Sequence, residues 1–324
     1  MNFISVNYHS IDDEDKYKSG IYPISADRFA KQLELIKQDF VFISEDVLVS
    51  AIENKTKLPD NACLITFDDA LRSQYENAVP ILREMKIPAV FFINTLHLKK
   101  EKACVVHKIW KLLSMLSATE MLAQVIRHYS EIKHKEINFD NISLNSAQKE
   151  NMYDHDTDTL KLKYLLNSYL DLALVELIID KIFAESYGDE KDFCQEFYMD
   201  AAQIKDLDQG KLFSIGLHTE SHLNIPHAEN AIVSKEIISN HDFLKNNLDI
   251  KNIQGISYPI GAIEAKDLND KIMETIKSLE IKYGVTVQRR VNHDLASPFL
   301  IHRFDTNDVD GGKNPIIDLK NIIN

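Results

Sequence analysis

Short apolar runs alternate with segments of helical period along most of the chain. Phe3 to Tyr8 is long enough for one strand and ends in Tyr8-His9. Ser25 reads as the N-cap of a helix in which Phe29, Leu33 and Ile36 recur at helical spacing. Phe40 to Ile43 is a second apolar run. Ser44 caps a further helix carrying Val47, Leu48 and Ile52, and Leu58-Pro59-Asp60 ends it. Leu64, Ile65 and Phe67 form a buried strand that stops at Asp68-Asp69. Tyr75, Val79 and Leu82 mark the next helix, which Pro80 is expected to kink or shift. Pro88 to Ile93 is another strand. Strands alternating with helices predict βα units and a mainly parallel sheet or barrel.

The rhythm changes over 99–198. This stretch has no proline, its one glycine is Gly188, and strand patterns disappear. Ile109, Leu112, Leu113 and Leu116 recur at helical spacing, as do Leu162, Leu165, Leu166 and Tyr169, and Leu172 to Phe183 is one more helix. No Pro/Gly/Ser linker flanks the segment, so it reads as a helical insertion shaping one wall of a cleft, not as a separate interaction domain. Asp154-His155-Asp156-Thr157-Asp158 superficially resembles a calcium loop. Thr159 stands where such a loop needs Gly and Leu165 where it needs Glu, so the run reads as a solvated, helix-capping one. Alternation resumes at Asp200, with Gln203 as its capping-box partner. Leu212 to Leu217 is then a strand running into His218-Thr219-Glu220-Ser221-His222.

Composition narrows the function. With 44% hydrophobic residues the chain can bury a sizeable core, and a net charge of -13 argues against nucleic acid or an anionic membrane surface as partner. Cys63, Cys104 and Cys194 are odd in number and form no CxxC pair, which suits a reducing compartment. No apolar run reaches the roughly 18 residues of a membrane span, and Met1 to Asn7 has no secretory n-region. A cytoplasmic location is the expectation.

Two features carry chemistry. Adjacent carboxylates at a strand end repel each other, and a metal beside one relieves that repulsion and leaves the other as a base. An Asp-Asp pair alone serves equally as a helix-capping turn. His218 and His222, at i and i+4, would share one face of a helical turn, close enough for one ion. HxxxH alone is also unspecific; the two features together are much less so.

Together these residues resemble the polysaccharide deacetylase family, the NodB-type carbohydrate esterases. Thr66-Phe67-Asp68-Asp69 corresponds to its first motif, His218 to His222 to its second, and Ile256-Ser257-Tyr258-Pro259-Ile260-Gly261 to its third. The likeness covers most of the chain outside 99–198. It implies an α/β fold, a distorted (β/α)7 barrel as one domain over 1–324, with the helical insertion within it. It also implies metal-dependent hydrolysis of sugar N-acetyl groups. By motif position Asp68 is the general base, and Asp69, His218 and His222 are the metal ligands. The Ile260 N–H helps to form the oxyanion hole, and Tyr258, Pro259 and Arg303 border the substrate. Zinc is the first choice for this ligand set, with iron, cobalt or nickel also compatible.

The chain departs from the family in several places. Ala70 replaces the usual glycine, Ser257 replaces a common arginine, and a fourth motif with Asp and Trp is absent. The last motif is matched by Leu300-Ile301-His302, which makes His302 the expected proton donor. Arg303 rivals it for the inward position, since strand neighbours face opposite ways; His293 is the next donor candidate. The expected substrate is an amino sugar or sugar conjugate, a soluble intermediate before a wall polymer. The alternatives are hydrolysis of another small amide or imide, and a non-catalytic glycan-binding pseudoenzyme.

Overall fold

The computed structural model describes residues 2–17, 19–137, 157–261, 263–319 and 322. Of the acidic run at 154–158, the part up to residue 156 lies outside the described residues. The chain forms two compact units: one of residues 1–14, 23–102 and 194–324, the other of 15–22 and 103–193.

In the first unit eight strands form one sheet: β1 (Phe3–Tyr8), β2 (Val41–Phe42), β3 (Ala62–Phe67), β4 (Ala89–Ile93), β5 (Phe213–Leu217), β6 (Gly255–Ser257), β7 (Tyr283–Val285) and β8 (Phe304–Asp305). Every pairing between these strands is parallel. The order is β7-β6-β5-β4-β3-β1-β8, with β2 beside the first residues of β3. Ile301, just before β8, makes a parallel bridge back to Val285 of β7, so the ends of the sheet meet and the curl closes. This is the expected distorted barrel of the polysaccharide deacetylase type.

Helices form where the capping chemistry predicts. Ser25 Oγ accepts from Arg28 N at the head of Ala26–Asp39, and Asp200 and Gln203 form a complete capping box before Ala201–Asp208. Pro80 shifts its helix, as expected: the hydrogen-bond register changes at the π-turn just before it. Residues 72–85 are helical throughout, and the π-turn Gln74–Ala78 lies immediately before Val79–Met85, in whose first turn Pro80 sits.

Strands buried on both faces read as continuous apolar runs, and alternation sorts their side chains into two cores. Ile4, Val6 and Tyr8 of β1, Cys63, Ile65 and Phe67 of β3, and Phe91 and Ile93 of β4 pack with the helices. Phe3, Ala62, Leu64, Val90, Phe92, Tyr283, Val285 and Ile301 form the second core on the other face, closed by Leu48, Val49 and Leu58. Gly216 of β5 is required there, because a Cβ would lie 2.4 Å from the Phe92 ring. Along this inner face the later strand positions turn polar. Asn7, Thr66, Asp68, Asn94, His218, Ser257 and Arg303 are all buried. The site lies at the carboxyl ends of the strands, as the general rule for parallel α/β sheets requires.

The second unit is helical: Val105–Met115, Ala118–Lys133, Thr157–Tyr164 and Leu172–Ser186 bury Leu112, Val125, Leu160, Ile178 and Ile182. Lys108 is buried between Asp180 and Glu190, its ammonium 2.9 Å from Glu190. Residues 15–22 join this unit, which the sequence pattern did not indicate. Gly20, at φ 77°, allows that approach, since a Cβ would lie 2.2 Å from the Trp110 carbonyl.

Candidate metal centre and active site

Past Asp68 the chain leaves extended geometry. Asp69 (φ 80°) and Ala70 (φ 57°) are both left-handed, which turns the Asp69 carboxylate onto His218 and His222 instead of the helix layer. An L-residue such as Ala70 in this region costs about 1–2 kcal/mol, a cost that glycine would avoid. The strain extends through the motifs, with Thr219 at φ 56°, His222 at φ 60° and Ile260 at φ 64°. Such strain concentrates at functional sites and persists only where the surroundings over-determine it.

His218 follows β5 directly. Its N–H donates to Ile93 O (3.2 Å) and Asn240 Oδ1 (3.0 Å). Its Nδ1 donates to the Ser257 carbonyl at 2.8 Å, so in the neutral ring the Nε2 lone pair faces Asp69. The histidines do not share a helical turn as expected. Residues 218–222 form a non-helical turn bent by the two left-handed residues, and the turn delivers both rings to one point.

Asp69 Oδ1 lies 3.2 Å from His218 Nε2 and 3.4 Å from His222 Nε2. In a tetrahedral site with ligand bonds near ~2.0–2.1 Å, neighbouring donors stand about 3.3 Å apart. One carboxylate oxygen and two imidazole nitrogens at this spacing fit a divalent cation. They are the one such group among the described residues. Burial alone would lower the His218 pKa; the charges of Asp68 and then Asp69 raise it above its ordinary value.

Asp68 is held differently. Arg303 Nη1 donates to its Oδ1 at 3.0 Å and Nη2 to its Oδ2 at 2.8 Å, while Asn7 Nδ2 (3.1 Å) and Ser257 Oγ (3.0 Å) also donate to Oδ2. Burial would raise the pKa of this carboxyl. Arg303 outweighs it, with His218 and His9 adding to the effect, and the result is about 2. Ser257 therefore bonds Asp68 where the resemblance would place an arginine, and the guanidinium comes from Arg303, just before β8.

The rivalry between His302 and Arg303 resolves by alternation. Ile301 belongs to the inner core and Phe304 to the outer, so Arg303 points inward and His302 does not. The His302 ring meets Thr286 Oγ1 at 3.5 Å, and its backbone pairs with Asn292. The structure thus does not bring His302 to Asp68. His293 is exposed and follows Asn292, which bridges Phe3 at the far end of β1. Tyr258 also turns away: its ring is buried over Gly284 and its hydroxyl donates to Phe299 O at 3.0 Å. Pro259 is buried, and Ile260 is 52% exposed. Among the described residues the Ile260 N–H donates to no backbone carbonyl.

Sequence reasoning missed Asn7, Thr66 and the role of His9. Asn7 Oδ1 accepts from Arg303 Nη1 at 3.0 Å, and Thr66 Oγ1 accepts from it at 3.2 Å. The signal was present: Ser5 and Asn7 are polar residues in an otherwise apolar strand. His9 Nε2 is 3.9 Å from Asp69 Oδ2, with its side chain 35% exposed.

The closed parallel sheet thus carries an Asp-His-His cluster and a clamped aspartate at its strand ends, an arrangement within the α/β class. Comparison with known proteins narrows it. Residues 55–134 match the family model for polysaccharide deacetylase. Poly-beta-1,6-N-acetyl-D-glucosamine N-deacetylase of Staphylococcus aureus is 36% identical over 83 residues, 25% of this chain and 28% of that protein. Its Staphylococcus epidermidis counterpart is 28% identical over 107 residues, 29% of this chain and 37% of that protein. The match thus takes in well under half of either relative. In fold, the Streptococcus pyogenes deacetylase PplD in complex with acetate aligns with a TM-score of 0.55 at 16% identity, covering 94% of this chain and 92% of that one. IcaB from Ammonifex degensii does so with 0.55 at 16%, covering 94% and 91%. Residues 55–134 thus resemble the polysaccharide deacetylase family, and the chain shares its fold with these deacetylase structures.

Proposed function

We propose that the protein is a divalent-metal-dependent N-deacetylase acting on N-acetylglucosamine residues, with the β-1,6-linked polymer named for its staphylococcal relatives as the first substrate to test. The observation that carries this reading is the convergence of Asp69, His218 and His222 beside a separately clamped Asp68. The relatives' names favour a polymer over the soluble intermediate expected from the sequence.

An acetamide is a poor electrophile with a poor leaving group, so water must be activated, the oxyanion held and the amine protonated. A cation held by Asp69, His218 and His222 would supply Lewis acidity, bringing the pKa of water to ~7; zinc, iron, cobalt and nickel all suit the donors. That acidity matters here, because a carboxylate of pKa about 2 is a weak base toward free water. Asp68 Oδ2 accepts three hydrogen bonds, whereas Oδ1 accepts from Arg303 alone among the described residues. Oδ1 keeps a lone pair for the attacking water.

As the water oxygen bonds to the acetyl carbon, its proton passes to Asp68, and the Ile260 N–H faces the developing oxyanion. The C–N bond then breaks, the amine nitrogen gains a proton, and acetate and the free amino sugar leave. His9 takes the donor role in place of His302. It is partly exposed, stands beside Asp69 and lies outside the ligand set. The test is acetate release from β-1,6-linked N-acetylglucosamine oligomers, with and without chelator. Chelator-sensitive release supports the reading; no release from metal-loaded protein on oligomers or N-acetylated monosaccharides contradicts it.

A further inference from the structure

The turn that carries Asp68 and Asp69 is held by its carbonyls. Asp69 O accepts from Asn94 Nδ2 at 3.1 Å and Ala70 O from Met199 N at 2.8 Å. Asp68 O accepts from Gln74 Nε2. Gln74 is fully buried, and its head group does three things. Its Oε1 accepts from Leu71 N at 3.2 Å, and the second Nε2 hydrogen goes to the His9 carbonyl at 3.1 Å. Two carbonyls and one N–H fix the amide orientation, since the opposite flip would set oxygen against oxygen.

Asn94 and Met199 hold the turn alone. Gln74 also grips the residue that follows β1, and so ties the loop bearing His9 to the turn bearing Asp68 and Asp69. Asn77, one helical turn on, donates farther along that loop, to Ile11 O at 2.7 Å.

We propose that Gln74 is a positioning residue that sets the His9 imidazole against the Asp68–Asp69 turn for protonation of the leaving amine. The inference rests on the N-deacetylase reading with His9 as donor. A partly exposed histidine keeps its ring in place only if its backbone is fixed, and a displacement of about 1 Å in a reacting group can cost ~10²-fold in rate. The effect falls on proton delivery, so it depends on the leaving group: an amine must be protonated, whereas a phenolate leaves without a proton.

The experiment compares N-acetylglucosamine oligomers with an aryl acetate, in wild type, Gln74→Met, Gln74→Glu, His9→Ala and the control Asn77→Ala, with bound metal measured in each. Gln74→Met removes the polar head, and Gln74→Glu keeps the length and loses the donor. The expected result is a kcat on the oligomer lower by about 10–100-fold in both Gln74 variants, with aryl acetate turnover within about threefold and metal retained. His9→Ala should show the same split, and Asn77→Ala should not. If oligomer and aryl acetate turnover fall together in both Gln74 variants, or neither falls, the proposal is overturned. If neither variant folds, Gln74 serves folding and the proposal is overturned as well. A wild type that cleaves the aryl acetate and no N-acetyl sugar would instead sink the deacetylase reading itself.

Discussion

Arg303 and Asp68 form a two-bond ion pair in which both side chains are buried, 0% and 4% exposed. The guanidinium fork matches the carboxylate geometry, so the pair fixes both the charge and the direction of Asp68. Asn7, Thr66 and Ser257 complete the hydrogen bonding around it.

Removing one partner of such a pair leaves an uncompensated buried charge. Arg303→Ala should destabilise the fold by roughly 3–5 kcal/mol and depress turnover strongly. His302→Ala, whose ring lies outside the cluster, should change stability by about 1 kcal/mol or less and leave turnover near wild type. Denaturant unfolding together with acetate release checks both. Strong loss of turnover with a stable fold in His302→Ala would return the donor role to His302.

The pair also shows how far the sequence could be read. Elements with strong local signals were legible: β1, β3, β4 and β5 as apolar runs, and Ser25 and Asp200 as caps. Asp69, His218 and His222 were found because two motifs end strands. The inward choice between His302 and Arg303 was not legible, because it depends on which face Ile301 takes in a closure made with β7. The left-handed residues of the 218–222 turn hid in the same way: HxxxH has helical spacing, and only the tertiary frame bends it otherwise. Gln74 gave no signal, since its partners are all backbone groups and one of them, the His9 carbonyl, is distant in sequence.

Tyr258 illustrates a motif residue with a packing role. Tyr258→Phe should lose the bond to Phe299 O and destabilise by about 1 kcal/mol, with KM for the sugar unchanged. A raised KM with unaltered stability would show the ring contacting substrate. Gly284→Ala should be worse, because its Cβ would lie 2.2 Å from the Tyr258 hydroxyl; overpacking of this kind costs about 1–3 kcal/mol.

Glu45 supplies a pH-dependent contribution away from the metal cluster. Its Oε1 accepts from Tyr283 OH at 2.7 Å, and burial raises its pKa to about 7. The folded state thus prefers the protonated acid. Its contribution is present in full below the unfolded value and disappears as pH rises through about 7. That contribution is on the order of 3 kcal/mol. Glu45→Gln, measured by unfolding from pH 4.5 to 8, should flatten this slope and leave the variant the more stable form above pH 7. An unchanged slope would mean that the carboxyl finds charge compensation in the folded state.

The division of labour between the adjacent aspartates is tested most directly by measuring bound metal and acetate release together in Asp68→Asn and Asp69→Asn. The account predicts that Asp68→Asn retains its metal while N-acetyl hydrolysis falls by about 10²–10⁴, and that Asp69→Asn loses metal and activity together. Equal metal loss in the two variants, or wild-type turnover in Asp68→Asn, would contradict it.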